Sequence, residues 1–397
     1  MKNRCDVRGF ISAREEELPA TEFVRIMKIA EEDKNIISLG PGEPDFVTPK
    51  NIRDVAKKKL DQGHTHYTPI GGLEETKEAI AEKLKHENKI DVDPDSQIIV
   101  TVGAKEAILL SLMAMIDPGD GVIVPNPGYV AFIPIVESLT AVPLSVQLKR
   151  EEGFEYNLDR VKSLLDSQKV KVLILNSPSN PTGTVFSKKH LEEIADFIID
   201  NCLVVVSDEA YEKFVYDDAK HISIGSLNGM ENHVVTIHSF SKTYAMPGFR
   251  IGYASGPADI IKAMTRLKIG TTLSTPTISQ LAAIEALNGN QKSIKVMVKE
   301  YNRRRKFLMK RMKQIKGFNC FEPKGAFYAF PNISEFSMKS HEFAEFLLKK
   351  AKVLTIPGTE FGKYGEGFIR LSYATDYKKI VKAMNNIELA IRKLKLH

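Results

Sequence analysis

The sequence predicts an α/β protein, in which a large domain with a mostly parallel sheet flanked by helices is joined to a smaller α+β domain. Three observations lead there. Short apolar runs alternate with amphipathic stretches of helical period over about residues 46 to 285. Polar Gly/Pro clusters fall where those runs stop, and the ends of parallel strands are where open sheets hold their ligands. From about Asn288 the alternation yields to a long basic helix and scattered short strands. The large domain is therefore placed at residues 46–287, and the small one at 1–45 together with 288–397.

Composition narrows the class. A chain of 397 residues with 43% hydrophobic content has enough apolar surface for a substantial core. Cys5, Cys202 and Cys320 lie far apart, without a CxxC, so neither a disulfide framework nor a structural zinc is expected. No apolar run reaches the roughly 18 residues of a membrane span, and a cytoplasmic protein is the expectation. The net charge of +6 is spread among interleaved acids and bases, which favours small anionic ligands over nucleic acid.

In chain order, an amphipathic helix is expected near Thr21 to Glu32, followed by a loop of fixed shape, Ser38 to Asp45, with two glycines and two prolines. Asp45 stands where a dinucleotide fingerprint needs its third glycine, so a Rossmann site is not expected there. Thr48 is read as the cap of a helix with Pro49 at its first position, Ile52, Val55, Ala56 and Leu60 on one face, and Gly63 closing it. His64 and His66 follow without a third metal ligand nearby. A charged helix spans Leu73 to Glu87. The strand Gln97 to Val102 runs through Gly103-Ala104-Lys105 into the helix Glu106 to Ile116, an arrangement that offers unpaired N–H groups to an anion.

Further strands, Val122 to Pro125, Lys171 to Leu175, Cys202 to Val206 and Val234 to Ile237, each end in a polar cluster: Asn126 to Tyr129, Asn176 to Gly183, Ser207 to Tyr211 and Ser239 to Gly252. Ser187 caps a helix from Lys188 to Ile199. Beyond Asn288 the expectation is a helix from Lys292 to Ile315, strands over Phe321 to Phe330 and Val353 to Ile356, and a helix from Lys378 to Leu394.

Together these strand ends supply one lysine, Lys242; one carboxylate, Asp208, with Tyr211 three residues on; Asn180 in a rigid turn; the ring of Tyr129; and a helix N-terminus with Ser239 and Arg250 as anion donors. A bound phosphate accounts for the cradle, an aromatic heterocycle for the ring, and imine chemistry for the amine. Pyridoxal 5'-phosphate has all three features.

At these residues the chain resembles the class I aminotransferases of the aspartate aminotransferase superfamily, which use pyridoxal phosphate on fold type I. The likeness spans nearly the whole chain. It is carried by Ser239 to Gly252, Asn180-Pro181-Thr182-Gly183, Asp208-Glu209-Ala210-Tyr211 and Arg370-Leu371-Ser372-Tyr373-Ala374. The resemblance implies that Lys242 links covalently to the cofactor and later moves the substrate proton. It implies that Asp208 pairs with the pyridine nitrogen, that Asn180 and Tyr211 bond the ring hydroxyl, and that Tyr129 stacks on the ring. Gly103, Ala104, Lys105, Ser239 and Arg250 would hold the phosphate. Arg370 would grip the substrate α-carboxylate, with Asn180 and the backbone of Gly40 close by and Tyr129 lining the substrate space. Tyr67 matches a tyrosine that reaches the neighbouring subunit's phosphate, which implies a homodimer with shared active sites. Asn126-Pro127 and Asn180-Pro181 match peptide bonds that are cis in relatives.

The chain departs from one branch of that family. No arginine occurs in Thr271 to Pro276, the stretch matched to a residue that binds a distal carboxylate. The segment near Leu18 to Thr21 is expected to fold over the pocket without revealing its preference. The function expected is amino transfer from an L-amino acid, aspartate or aromatic, to a 2-oxo acid such as 2-oxoglutarate. A carbon–sulfur β-lyase on the same scaffold is the alternative. A DNA-binding regulator is disfavoured, since the stretch before Met27 leaves no room for a reader module.

Overall fold

The computed structural model describes residues 11–12, 28–29, 32–166 and 169–394. Cys5, the segment near Leu18 and nearly all of the helix expected at Thr21 to Glu32 lie outside them. After the short strand β1 (Ile37–Ser38) come seven strands of one sheet: β2 (Ile98–Thr101), β3 (Gly121–Asn126), β4 (Val142–Gln147), β5 (Val170–Asn176), β6 (Val204–Asp208), β7 (Val234–Ser239) and β8 (Gly252–Ser255). Their spatial order is β2-β8-β7-β6-β5-β3-β4. The pairings among β4, β3, β5, β6 and β7 are parallel, while β8 runs antiparallel to both β7 and β2.

The middle strands are β-branched nearly throughout because both faces of the sheet are covered. On one face Val172, Ile174, Val206, Val235 and Ile237 pack with Ala107, Ile108, Leu110 and Leu112 of the helix Ala104–Met115. On the other, Leu173, Leu175 and Val205 meet Leu191, Ile194, Ala195 and Ile198 of the helix Lys188–Asp200. Ser187 caps that helix as expected, accepting from the His190 N–H at 3.2 Å.

This topology brings one end of every central strand to the same edge. Asn176 sits opposite Asp208 in the β5–β6 ladder, and Ser239 closes β7 directly opposite Gly252. Thr101, the last residue of β2, also pairs with Gly252, so the turn Val102-Gly103 and the start of Ala104–Met115 open beside Ser239.

Against this sheet lie β9 (Asn319–Cys320), β10 (Tyr328–Ala329), β11 (Pro331–Asn332), β12 (Val353–Leu354), β13 (Ile356–Pro357) and β14 (Ile369–Ser372), with the helices Lys292–Gln314 and Tyr377–Ile391. β1 pairs with β12 in parallel, which ties the Gly40 to Asp45 loop to this region; β10, β14 and β13 form an antiparallel sheet that carries Arg370.

Some local expectations are corrected. The Thr48 hydroxyl does not cap the helix Lys50–Asp61; it donates to the Ala245 carbonyl at 2.5 Å, and Pro49 occupies the cap position. Leu60 is 55% exposed rather than on the packed face. The helix expected over Leu73 to Glu87 begins at Glu74 and ends in a π turn, Leu84–Asn88. The strand Cys202 to Val206 starts later, at Val204, because Cys202 adopts φ 52°. The run Phe321 to Phe330 is not one strand but yields only β10.

Candidate active site

The strand edge encloses a cavity of about 370 Å³ lined by Ala104, Lys105, Tyr129, Asn180, Asp208, Tyr211, Ser239, Lys242, Arg250 and Arg370, with Gly42 and Tyr328 closing one side. Ten of the thirteen residues singled out from the sequence thus share one wall. Of the other three, Gly103 lies against Arg250, and Gly40 supplies a carbonyl to Arg370. Tyr67 is apart, 85% exposed on the outer surface.

Lys242 occupies a single helical turn, Phe240–Thr243, which starts as soon as β7 ends; the Ser239 hydroxyl caps it by accepting from the Ser241 N–H at 3.2 Å. Its Nζ donates to the Gly42 carbonyl at 2.6 Å. Burial pushes this amine down to about 8, with Arg370 and Arg250 adding to the effect and Glu43 and Asp208 opposing it.

Asp208 closes β6 and is buried. Its Oδ1 accepts from the Ala210 N–H at 3.1 Å, and its own carbonyl accepts from Asn176 Nδ2 at 3.0 Å. Burial raises the carboxyl to about 6, against the lowering effect of the Ala210 bond. Asn176 Oδ1 in turn accepts from the Asn180 N–H at 2.8 Å and fixes the rigid turn. The Asn126-Pro127 and Asn180-Pro181 bonds are cis, as the resemblance implies, and Ser177-Pro178 is cis as well.

Arg370, in β14, is buried with its guanidinium over Tyr328 and Phe361, 4.5 and 4.7 Å from the ring centres. Nη1 donates to Asn180 Oδ1 at 2.9 Å and Nη2 to the Gly40 carbonyl at 2.6 Å, while Nε has no acceptor among the described residues. Arg250 adopts φ 52° and is anchored by donating to the Pro247 carbonyl at 3.0 Å. Gly103, with φ +83°, brings its backbone so close that a Cβ would lie 2.8 Å from Arg250 Nη2. Gly252 lies equally tight, its Cβ position 2.8 Å from both the Ala104 nitrogen and the His238 carbonyl oxygen.

Among the described residues, Lys105, Lys242, Arg250 and Arg370 face this cavity without an ion-paired carboxylate; Asp208 is the only acid lining it. Such a donor set suits a ligand with a phosphate at one end, a carboxylate at the other and a basic ring nitrogen between. The residues therefore fit a phosphorylated pyridine aldehyde. Tyr328 is the aromatic lining residue not foreseen from the sequence, alongside Gly42, Ile108, Val130, Ala210 and Ser241. It sits in the aromatic run Phe327-Tyr328-Ala329-Phe330, whose letters signal packing alone.

A buried amine and carboxylate on the edge of a mostly parallel sheet, ringed by anion donors, mark the strand ends as the active site of an α/β enzyme. The family described as aminotransferase class I and II matches residues 34–387. The aspartate aminotransferase of Pyrococcus abyssi is 46% identical, with 95% of this chain and 97% of that one covered. The aromatic-amino-acid aminotransferase 2 of Thermococcus litoralis is 41% identical over 97% and 99%. Among solved structures, an aromatic aminotransferase from Pyrococcus horikoshii superposes with a TM-score of 0.89 at 44% identity, over 94% of this chain and 100% of that one. Aspartate aminotransferase from Thermus thermophilus with maleate gives 0.90 at 36%, over 96% and 99%. The chain belongs to the class I and II aminotransferases.

Proposed function

We propose that this enzyme moves an amino group from an L-amino acid, aspartate or aromatic, to a 2-oxo acid such as 2-oxoglutarate. The cycle is ping-pong with pyridoxal 5'-phosphate, and the unit is a cytoplasmic homodimer with shared active sites. The observation that carries the reading is the pairing, in one anion-seeking cavity, of an amine lowered to about 8 with a carboxyl raised to about 6.

When bound, pyridoxal phosphate supplies an aldehyde that condenses with amines and a ring that accepts the electron pair released at the substrate α-carbon. The chain does the rest. At pH 7 about a tenth of the Lys242 amines are neutral, against roughly one in three thousand for an ordinary lysine, so Nζ is available as nucleophile and as base. Nζ takes the proton from the α-carbon and returns it on the other side of the reaction. Asp208 would hold a proton on the ring nitrogen of the bound group, its charge made effective by burial. Tyr211 and Asn180 bond the ring hydroxyl, and Tyr129 covers the ring face. Gly103, Ala104, Lys105, Ser239 and Arg250 hold the phosphate, with Tyr67 of the second copy. Arg370 takes the α-carboxylate through a fork that the Gly40 and Asn180 contacts already hold in place. The same reading assigns residues 46–287 to the cofactor-holding domain, and 1–45 with 288–397 to the domain bearing Arg370.

The test is direct. Purified protein supplied with cofactor is mixed with single amino acids and followed by visible absorbance, then with 2-oxo acids to restore the starting spectrum. Full amino transfer by Lys242→Ala would overturn the assignment.

A further inference from the structure

Tyr328 is buried in β10 and touches three parts of the site at once. Its ring lies under the Arg370 guanidinium, 4.5 Å from centre to Cζ. Its hydroxyl is 2.6 Å from the Tyr211 hydroxyl. It also fills the space beside Gly42, where a Cβ would fall 2.2 Å from the Tyr328 oxygen, so the phenol seats the turn whose carbonyl accepts from Lys242.

The direction of the phenol–phenol bond follows from the proposed function, in which Tyr211 bonds the ring oxygen of the cofactor. Burial raises both hydroxyls above their ordinary range, so both are neutral and one of the two protons forms the bond. With the Tyr211 proton given to the ring oxygen, the bond between the two hydroxyls takes its proton from Tyr328, whose only hydrogen-bond partner among the described residues is Tyr211. With Tyr328 donating, the Tyr211 proton is released towards the cavity that Tyr211 lines.

We propose that Tyr328 is a positioning residue with two separable actions: its hydroxyl donates to Tyr211 and aims the Tyr211 proton into the cavity, while its ring supports the Arg370 fork. This rests on the aminotransferase reading above, in which Tyr211 bonds the ring hydroxyl of the cofactor.

Tyr328→Phe keeps the ring and removes the donor. A hydrogen bond given to the cofactor's ring oxygen draws charge from it and lowers the proton affinity next to it, so weakening that bond raises the pH midpoint of the holoenzyme's visible absorbance. An upward move of about 0.3–1 pH unit is expected, the size of one ordinary hydrogen bond. Tyr211→Phe moves the midpoint the same way, and the double variant goes no further than Tyr211→Phe alone, which marks a shared path. The Kd of an unreactive carboxylate such as maleate stays within about twofold in Tyr328→Phe, whereas Tyr328→Leu, lacking the ring, weakens it about tenfold. Circular dichroism and thermal melts confirm that each variant is folded. An unchanged midpoint in Tyr328→Phe beside a shifted one in Tyr211→Phe overturns the first action. Equal carboxylate affinity in Tyr328→Phe and Tyr328→Leu overturns the second. A wild-type protein that acquires no visible band with cofactor overturns the reading beneath, and this proposal with it.

Discussion

Replacing Lys242 by methionine will abolish amino transfer and make the cofactor-free protein more stable at neutral pH. The amine titrates at about 8 in the folded protein against 10.5 for a free side chain, because burial disfavours its charge. Between those values the unfolded chain binds a proton that the folded chain has released, so stability rises with pH across that window. Below about 8 the full penalty stands: at ~1.36 kcal/mol per pH unit the interval is worth about 3 kcal/mol. Methionine keeps the length of the stem and removes the charge, but it also removes the 2.6 Å bond to Gly42, which offsets about 1 kcal/mol. The net expectation is a gain of about 2 kcal/mol at pH 7 that is gone by pH 10.5, where the lost bond leaves the variant slightly the less stable. Urea unfolding of the two cofactor-free proteins at both pH values measures it. A variant no more stable than the parent at pH 7, or equally favoured at both, would show that the site does not strain its lysine. That cost is of the kind enzymes bear where reactivity and stability conflict.

The other expectations concern neighbouring groups. Asp208 is the mirror case: its carboxyl is raised from 3.8 to about 6, so the cofactor-free protein loses stability as pH climbs from about 4 to 6, and Asp208→Asn removes that loss in pH-dependent unfolding. The same variant lowers kcat by ~100-fold or more in a coupled amino-transfer assay, because the ring nitrogen loses its anionic partner. Arg370→Lys keeps the charge but breaks the fork held by Asn180 and Gly40, and raises KM for amino donors by ~10–100-fold with a smaller change in kcat. Gly103→Ala strains φ +83° and crowds Arg250, so cofactor retention measured by equilibrium dialysis falls ~10-fold. In the proposed homodimer, mixing inactive Lys242→Ala with a Tyr67→Ala variant of weakened cofactor binding yields mixed dimers. If Tyr67 serves the second copy, the one site with native Lys242 also receives a native Tyr67, and activity returns.

The central strands and their polar ends were legible because each is a contiguous signal: an apolar run bounded by turn residues, with Asp208 or Lys242 directly after it. β4 and β8 were not. β4 is a half-buried edge strand whose Val-Pro-Leu-Ser-Val-Gln lacks a continuous apolar stretch, and β8 is four residues, Gly-Tyr-Ala-Ser, of mostly small side chains. Thr48 carries the local signature of a helix cap, yet its hydroxyl is taken by Ala245, nearly two hundred positions on, a choice that only tertiary packing makes. Arg370 entered through the resemblance, since nothing in its own neighbourhood distinguishes it from a structural arginine. Tyr328 shows the limit most clearly, because its place between Tyr211, Arg370 and Gly42 is set by three separate segments converging, and no short window contains them all.

Gly252 is where the lysine turn and the helix Ala104–Met115 are riveted together. The absent side chain lets three strands, β2, β7 and β8, close up at one point, with Ser239 on one flank and Ala104 on the other. A single added methyl there would press on the Ala104 nitrogen and the His238 carbonyl oxygen, so the distance between the start of that helix and Lys242 is set by the smallest of residue types.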